Sequence, residues 1–266
     1  MIIALANQKG GVGKTSVAAL LTQVISSDIL LIDADPQANL TQWCYGYLSG
    51  DAATESFQKM RKHNLMSVLE NDSSIRQARI PITKKISLVG ATVALDKSRT
   101  EFVEMAGAQL FLRAAIEDFQ ESLEPSENEP TIIIDTAGEL SLLSMMGIAC
   151  AEKVVIPIGT QLLPIDSLSI TLQRLGQAQS RLNPRLKDIV VLPTLFNPKR
   201  TTNVSSLNVL ESEYGQLLPR YLDGSAIVIH NRAEVEALLH SQQNLPKNSQ
   251  AREAMNAFVS TLNLLA

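Results

Sequence analysis

Between the apolar run Ile2-Ile3-Ala4-Leu5-Ala6 and Val17-Ala18-Ala19-Leu20-Leu21, a stretch of helical periodicity, the chain reads Asn7-Gln8-Lys9-Gly10-Gly11-Val12-Gly13-Lys14-Thr15-Ser16. A strand that enters a glycine-rich turn and then opens a helix builds an anion site from main-chain N–H groups and the positive end of the helix. Gly10, Gly11 and Gly13 let the backbone approach a ligand closely, because no Cβ intervenes. In the phosphate-loop pattern G-x-x-x-x-G-K-[ST], the lysine (here Lys14) reaches the β- and γ-phosphates, and the hydroxyl (here Thr15) ligates Mg²⁺. Gln8 replaces the first glycine of that pattern, and Lys9 adds a second cation within the loop. From average glycine usage, K-G-G-x-G-K-[ST] arises by chance in a chain of this length about once in 10,000 or less often.

A phosphate site of this kind needs carboxylates for metal and water, and the sequence puts them where strands end. Asp33 and Asp35 follow Ile29-Leu30-Leu31-Ile32, and Asp135 and Thr136 follow Thr131-Ile132-Ile133-Ile134. Thr194 and Asn197 follow Ile189-Val190-Val191-Leu192. Taken singly, such acids are commonplace after strands and in solvated loops. In open α/β sheets, however, ligands bind outside the carboxyl ends of the strands, where these groups fall.

The elements that must position them are short, near-continuous apolar runs separated by longer helical segments. Besides residues 2–6, 29–32, 131–134 and 189–192, strands are expected at 86–89, 154–156 and 226–229. Runs without alternation suit strands buried on both faces, so the expected fold is α/β: one domain over 1–266, with a mostly parallel, twisted sheet flanked by helices on both faces. Polar stretches near 49–56, 70–77 and 122–130 read as loops.

With 266 residues, 45% hydrophobic, the chain can bury a sizeable core. A net charge of −4 excludes coating of nucleic acid by bulk positive charge, so any DNA contact must use a local patch. Cys44 and Cys150 form neither a disulfide framework nor a metal-ligand spacing and read as reduced, buried thiols of a cytoplasmic protein. No apolar stretch reaches the length of a membrane span, and the N-terminus lacks the cationic region of a signal peptide.

The loop, "LLIDADPQANLT" and "IIIDTAGE", in that order, resemble the ParA-type partition ATPases of the deviant Walker A class. The resemblance continues through "ACAEKVVIPIGTQLLPIDSLSITLQRL", "IVVLPTLFNPKRTTN" and "IHNRAEVEALLHSQQNLP", and so covers nearly the whole chain. It implies ATP hydrolysis with Mg²⁺, coupled to formation of an ATP-dependent homodimer. Lys14 then serves its own nucleotide, while Lys9, the signature lysine, reaches across to the partner's. Lys9, Gly10, Gly11, Val12, Gly13, Lys14, Thr15 and Ser16 are the implied nucleotide-binding residues, and Lys9, Lys14 and Asp35 the catalytic ones. Asp35 is implied to hold the attacking water, with Thr15, Asp33 and Asp135 around the metal and Asp135 acting through water. Asn197 or the neighbouring backbone is the candidate to read the base, and an ordinary turn asparagine before Pro198 is the alternative.

The resemblance further implies nonspecific double-stranded DNA as a partner, association with the nucleoid when ATP is bound, and a separate cargo-adaptor protein that stimulates hydrolysis. Candidate DNA contacts are Lys199, Arg200, Arg232, Lys247 and Arg252, each of which taken singly is as well read as a solvated surface charge. The cargo is open: a plasmid, a chromosomal origin, or a protein assembly such as a carboxysome. No helix-turn-helix extension is expected ahead of the loop. One departure stands out: the family's usual Asp-Thr-Pro-Pro is replaced by Asp135-Thr136-Ala137-Gly138, which frees backbone φ and restores an N–H.

Two alternatives share the loop. A MinD-like membrane-positioning ATPase should end in a basic amphipathic helix, whereas "AREAMNAFVSTLNLLA" reads as a helix packed on the domain, with no membrane contact. A metabolic ATP-dependent ligase or kinase is the second alternative.

Overall fold

The computed structural model describes residues 1–138, 141–161 and 165–263, without the side chains of Arg99 and Ile165. Its strands are β1 (Ile2–Leu5), β2 (Ile29–Ala34), β3 (Ile80–Pro81), β4 (Ile86–Val89), β5 (Thr131–Thr136), β6 (Lys153–Gly159) and β7 (Asp188–Thr194). They form a seven-stranded sheet in the order β3-β4-β2-β5-β1-β6-β7. Every pairing is parallel except β3 with β4.

The helices are α1 (Lys14–Thr22), α2 (Asn39–Tyr45), α3 (Gly50–Lys62), α4 (Leu65–Leu69), α5 (Ile75–Ala78), α6 (Ser98–Glu101), α7 (Phe111–Glu121), α8 (Leu142–Cys150), α9 (Ile165–Arg181), α10 (Thr201–Tyr214), α11 (Ala233–Ser241) and α12 (Gln250–Thr261). Period-two alternation along the strands feeds two cores, one on each face of the sheet. Ala4, Leu30, Ile32, Ile132, Ile134, Val154 and Ile156 face α4, α5 and α7 to α10. Ile3, Leu5, Ile29, Leu31, Ile133, Val155 and Leu192 face α1, α2, α11 and α12. Both faces are covered, which is why the runs are apolar without a break.

Three expectations need correction. Residues 226–229 do not form a strand: Ile229 N–H donates to Pro193 O (2.8 Å) and Phe196 N–H to Ile229 O (3.1 Å), so the segment crosses the end of β7 without building a ladder. The run is apolar because Ile227 and Ile229 are buried in the core of α11 and α12. The polar stretch 49–56 belongs mostly to α3, a helix that buries only Met60 and so carries a polar sequence. Within 70–77, Ser74 and Gln77 make a capping box that starts α5. Segment 122–130 is a loop, as expected.

The last helix packs as the sequence suggests: Ala254, Met255, Phe258 and Val259 of α12 are buried. Residues 264–266 of the quoted C-terminal segment lie outside the described residues. Among the described residues no helix is long and apolar enough to cross a membrane.

Candidate functional site

The loop from β1 to α1 is held from several sides. Asn7, buried, accepts the Lys9 N–H on its Oδ1 (3.0 Å) and donates from Nδ2 to Pro157 O in β6 (2.7 Å). Gly11 and Gly13 take φ of 71° and 93°, a region that costs a residue with a Cβ. Thr194, at the end of β7, donates its hydroxyl to Val12 O (2.7 Å). Its own carbonyl accepts from the Thr160 hydroxyl (3.2 Å), and Asn203 of α10 donates to that hydroxyl (2.8 Å). A relay of buried polar groups therefore ties α10 and two strand ends to the glycine turn. Asn7, Thr160 and Asn203 are supports that motif reading missed, because each acts through a partner distant in sequence, whereas Thr194 was expected at this end of the sheet.

Lys14 is only 7% exposed and reaches back to Lys9 O (3.5 Å). Burial lowers its pKa, while the charges of Asp135 and Asp35 hold it up. Lys9 is exposed, and among the described residues its ammonium has no ion-pair partner. The two lysines of one loop thus differ completely: one is folded into the site, the other stands outside it.

Strand pairing assembles the acids. Asp33 of β2 is in register with Asp135 of β5, and Asp135 in turn with Leu5 of β1. Thr15 donates to Asp135 Oδ2 at 2.6 Å, while Asp135 Oδ1 is buried without a hydrogen-bond partner. A serine or threonine hydroxyl beside a carboxylate with an uncommitted oxygen fits Mg²⁺ held by one or two protein oxygens plus water and phosphate. Burial first, and then the Asp33 charge, raises the Asp135 pKa.

Asp33 is turned differently. Its Oδ2 accepts from Thr41 N (2.8 Å) and Oγ1 (2.7 Å), and its Oδ1 from Asp35 N (3.2 Å). Both oxygens are engaged in fixing the loop after β2, so Asp33 acts on the metal surroundings as a buried neighbour of Asp135. Asp35 follows at the rim, half-buried, with Oδ1 accepting from Gln37 N (2.9 Å).

These groups border a cavity of about 920 Å³ lined by Gly10 to Ser16 without Val12, by Asp35, Gln37, Asn39, Gln42 and Trp43, by Ala137 and Gly138, and by Leu195, Leu239, His240 and Gln242. Asn197 is absent from that lining. Its Oδ1 accepts from Lys199 N (3.0 Å), so it serves the turn before α10, as an ordinary turn asparagine does. Leu195, which directly follows β7, and Leu239, His240 and Gln242 at the end of α11 border the cavity.

The basic candidates are not one patch. Lys199, Arg200 and Arg232 are exposed, and their segments meet where Asn231 N donates to Phe196 O (3.0 Å). Lys247 lies instead beside Ile29 and Ile86, which begin β2 and β4, in a cavity it shares with Lys84, Lys85 and Arg252. Arg252 is a correction. Its guanidinium donates to Gln23 O (2.8 Å) and to Leu245 O (3.0 and 3.3 Å), clamping the end of α1 to the segment before α12. Three of its five N–H groups are held this way, and the side chain is half-buried, which makes it first a structural clamp.

A mostly parallel sheet with a glycine loop after its interior strand β1, a buried lysine and a threonine–aspartate pair defines a phosphate-loop nucleoside triphosphatase. The model for the AAA domain matches residues 1–188. The chromosome-partitioning ATPase Soj of Thermus thermophilus is 31% identical over 198 residues, covering 73% of this chain and 69% of that protein. The chain belongs to this family and is a ParA-type partition ATPase. Cobyrinic acid a,c-diamide synthase from Mycobacterium smegmatis, solved with ADP and magnesium, superposes with a TM-score of 0.73 at 25% identity, over 98% of this chain and 93% of that one. A Cyanothece McdA variant in complex with ATP gives 0.77 at 19% identity, over 99% and 95%, a likeness of fold alone.

Proposed function

We propose that the protein is an ATP-dependent positioning switch: two copies close on two Mg²⁺-ATP molecules, hold nonspecific DNA, and release it after hydrolysis stimulated by an adaptor that carries the cargo. The observation that carries this reading is the division between Lys14, buried in its own site, and Lys9, exposed at the loop mouth with no ion-pair partner among the described residues. A compact ammonium held out in this way suits the triphosphate of a second copy, and loss of the γ-phosphate removes part of what it binds.

Within each copy, Gly10 to Ser16 cradle the phosphates, and Lys14 supplies charge to the terminal ones. Thr15 and Asp135 hold the magnesium side, with Asp33 behind them. Asp35 at the rim orients water, a role in which positioning and charge do most of the catalysis. Lys199, Arg200 and Arg232 form one DNA-contacting region; Lys247 is a separate one. Partition relatives favour this reading over a metabolic ligase, although the fold is shared with a synthase. The apolar face of α12, used up in the core, speaks against a membrane-seeking terminal helix.

Sedimentation with a non-hydrolysable ATP analogue tests the switch. Wild type should run as a dimer, whereas Lys9→Ala should run as a monomer that still binds the analogue; a Lys9→Ala dimer of unchanged stability would discard the reading. A gel shift on random-sequence DNA should show retention with ATP and none with ADP.

A further inference from the structure

At the end of the sheet away from the phosphate loop, where β2 and β4 begin at Ile29 and Ile86, lies a second cavity of about 750 Å³. That size falls within the range of about 300–1,000 Å³ typical of small-molecule sites. Lys84, Lys85, Lys247 and Arg252 stand around it, and among the described residues no carboxylate lines it. Two of these cations are held by neutral groups: Lys85 Nζ donates to Ser26 O (2.7 Å), and the Arg252 guanidinium to Gln23 O and Leu245 O. Carbonyls place the two charges without neutralising them. The other two, Lys84 and Lys247, are exposed, and among the described residues neither has an ion-pair partner. A cleft walled by one sign of charge focuses its field and draws in ions of the other sign. Tyr47, a further wall, has a buried hydroxyl with no hydrogen-bond partner among the described residues. Buried polar groups are seldom left so, and an unmet hydroxyl beside a cavity calls for a group that completes it.

We propose that this cavity binds a small phosphate ester, its phosphate among the four cations and its apolar body against Ile29, Leu245 and Pro246. Phosphate suits the cations because its several oxygens can each accept a charge-assisted hydrogen bond, from the two placed donors and from the two free lysines that close over them. The apolar walls favour a free ester over a nucleic-acid backbone, which has only sugar to set against them. The cavity is separate from the nucleotide site. Helix α1 begins in the phosphate loop at Lys14 and ends at Thr22, and it is Thr22 that lines this cavity. Binding here therefore needs neither ATP nor Lys9.

The full chain, labelled at its isoleucine δ1 methyls and saturated with Mg²⁺-ADP so that the phosphate loop is filled, is titrated with phenyl phosphate at constant ionic strength. The methyls of Ile25, Ile29 and Ile86, which line the cavity, should shift saturably. Phenol, which lacks the charge, should bind about tenfold or more weakly. The double variant Lys84→Gln, Lys247→Gln should lose about tenfold or more in affinity for phenyl phosphate, the scale of a hydrogen bond to a charged group. Lys84→Arg with Lys247→Arg keeps both charges and should retain most of the affinity. Unmoved methyls, or a glutamine variant that binds within about twofold of wild type, overturn the proposal. So does phenol binding as tightly as phenyl phosphate, which leaves an apolar crevice only. Should random-sequence duplex DNA move the same methyls at a lower phosphate concentration than phenyl phosphate does, the cavity belongs to the DNA-contacting surface around Lys247 and the proposal falls.

Discussion

The phosphate end of the sheet and the set of basic residues in the last third of the chain are built on opposite principles. At the phosphate end, Asn7, Lys14, Thr15, Asp33, Asp135 and Thr194 are cross-bonded and buried or nearly so, with Asn7, Thr15, Asp135 and Thr194 fixed by residues far away in sequence. Among the basic residues, Lys199, Arg200, Arg232 and Lys247 are exposed single charges, and Arg252 is a structural clamp. The difference matches the chemistry proposed for each region. Phosphoryl transfer needs charges placed and dried in advance of the reaction. Attraction to a polyanion needs only mobile surface cations and tolerates loose geometry.

Mutation can break or sharpen this contrast, and the buried side should respond most. Lys14→Ala should cost about 100-fold or more in ATP turnover, the scale of losing one preorganised charge donor, with the fold retained by circular dichroism. A loss of only a few-fold would place the buried lysine with the surface ones.

Next comes pH. Burial and the Asp33 charge lift the Asp135 pKa to about 8, against 3.8 for an ordinary aspartate. Folding therefore retains a proton that the unfolded chain releases. The resulting stabilisation is complete below the ordinary aspartate range and is lost as pH rises through about 8. Protein free of nucleotide and metal should melt at a lower temperature near pH 8.5 than near pH 5.5, and Asp135→Asn should flatten the upper part of that slope. Thermal melts in EDTA across pH check this, and parallel slopes for the two proteins would contradict it.

The smallest effects belong to the basic set, and they should separate Arg252 from Lys199. Arg252→Ala should cost about 1–3 kcal/mol in urea unfolding, through lost hydrogen bonds to two carbonyls. Lys199→Ala should leave stability unchanged and lower the salt slope of DNA binding by about one. The reverse pattern would make Arg252 the DNA contact after all.

Much of the molecule was legible in one dimension because its signals are local. A strand buried on both faces has to be apolar throughout, so β1, β2, β4, β5, β6 and β7 announce themselves. A turn that wraps phosphate needs glycine, lysine and a hydroxyl in consecutive positions, so the loop does too. Residues 226–229 misled because burial, not hydrogen-bond pairing, is what an apolar run encodes. The helix α3 was hidden for the converse reason, since its surface is almost entirely solvated.

The sequence alone therefore determined the sheet's main strands, the phosphate loop and the identity of the acids that follow the strands. Only the tertiary structure decided what those groups do to one another. It turned Asp33 inward to Thr41, left one oxygen of Asp135 without a hydrogen-bond partner beside Thr15, put Asn197 to work in a turn and Arg252 in a clamp, and set Gly138 against Gly10. The reason is physical: a residue's type fixes which bonds it can make, whereas strand register and burial fix which partners come within about 3 Å and how much water remains to compete.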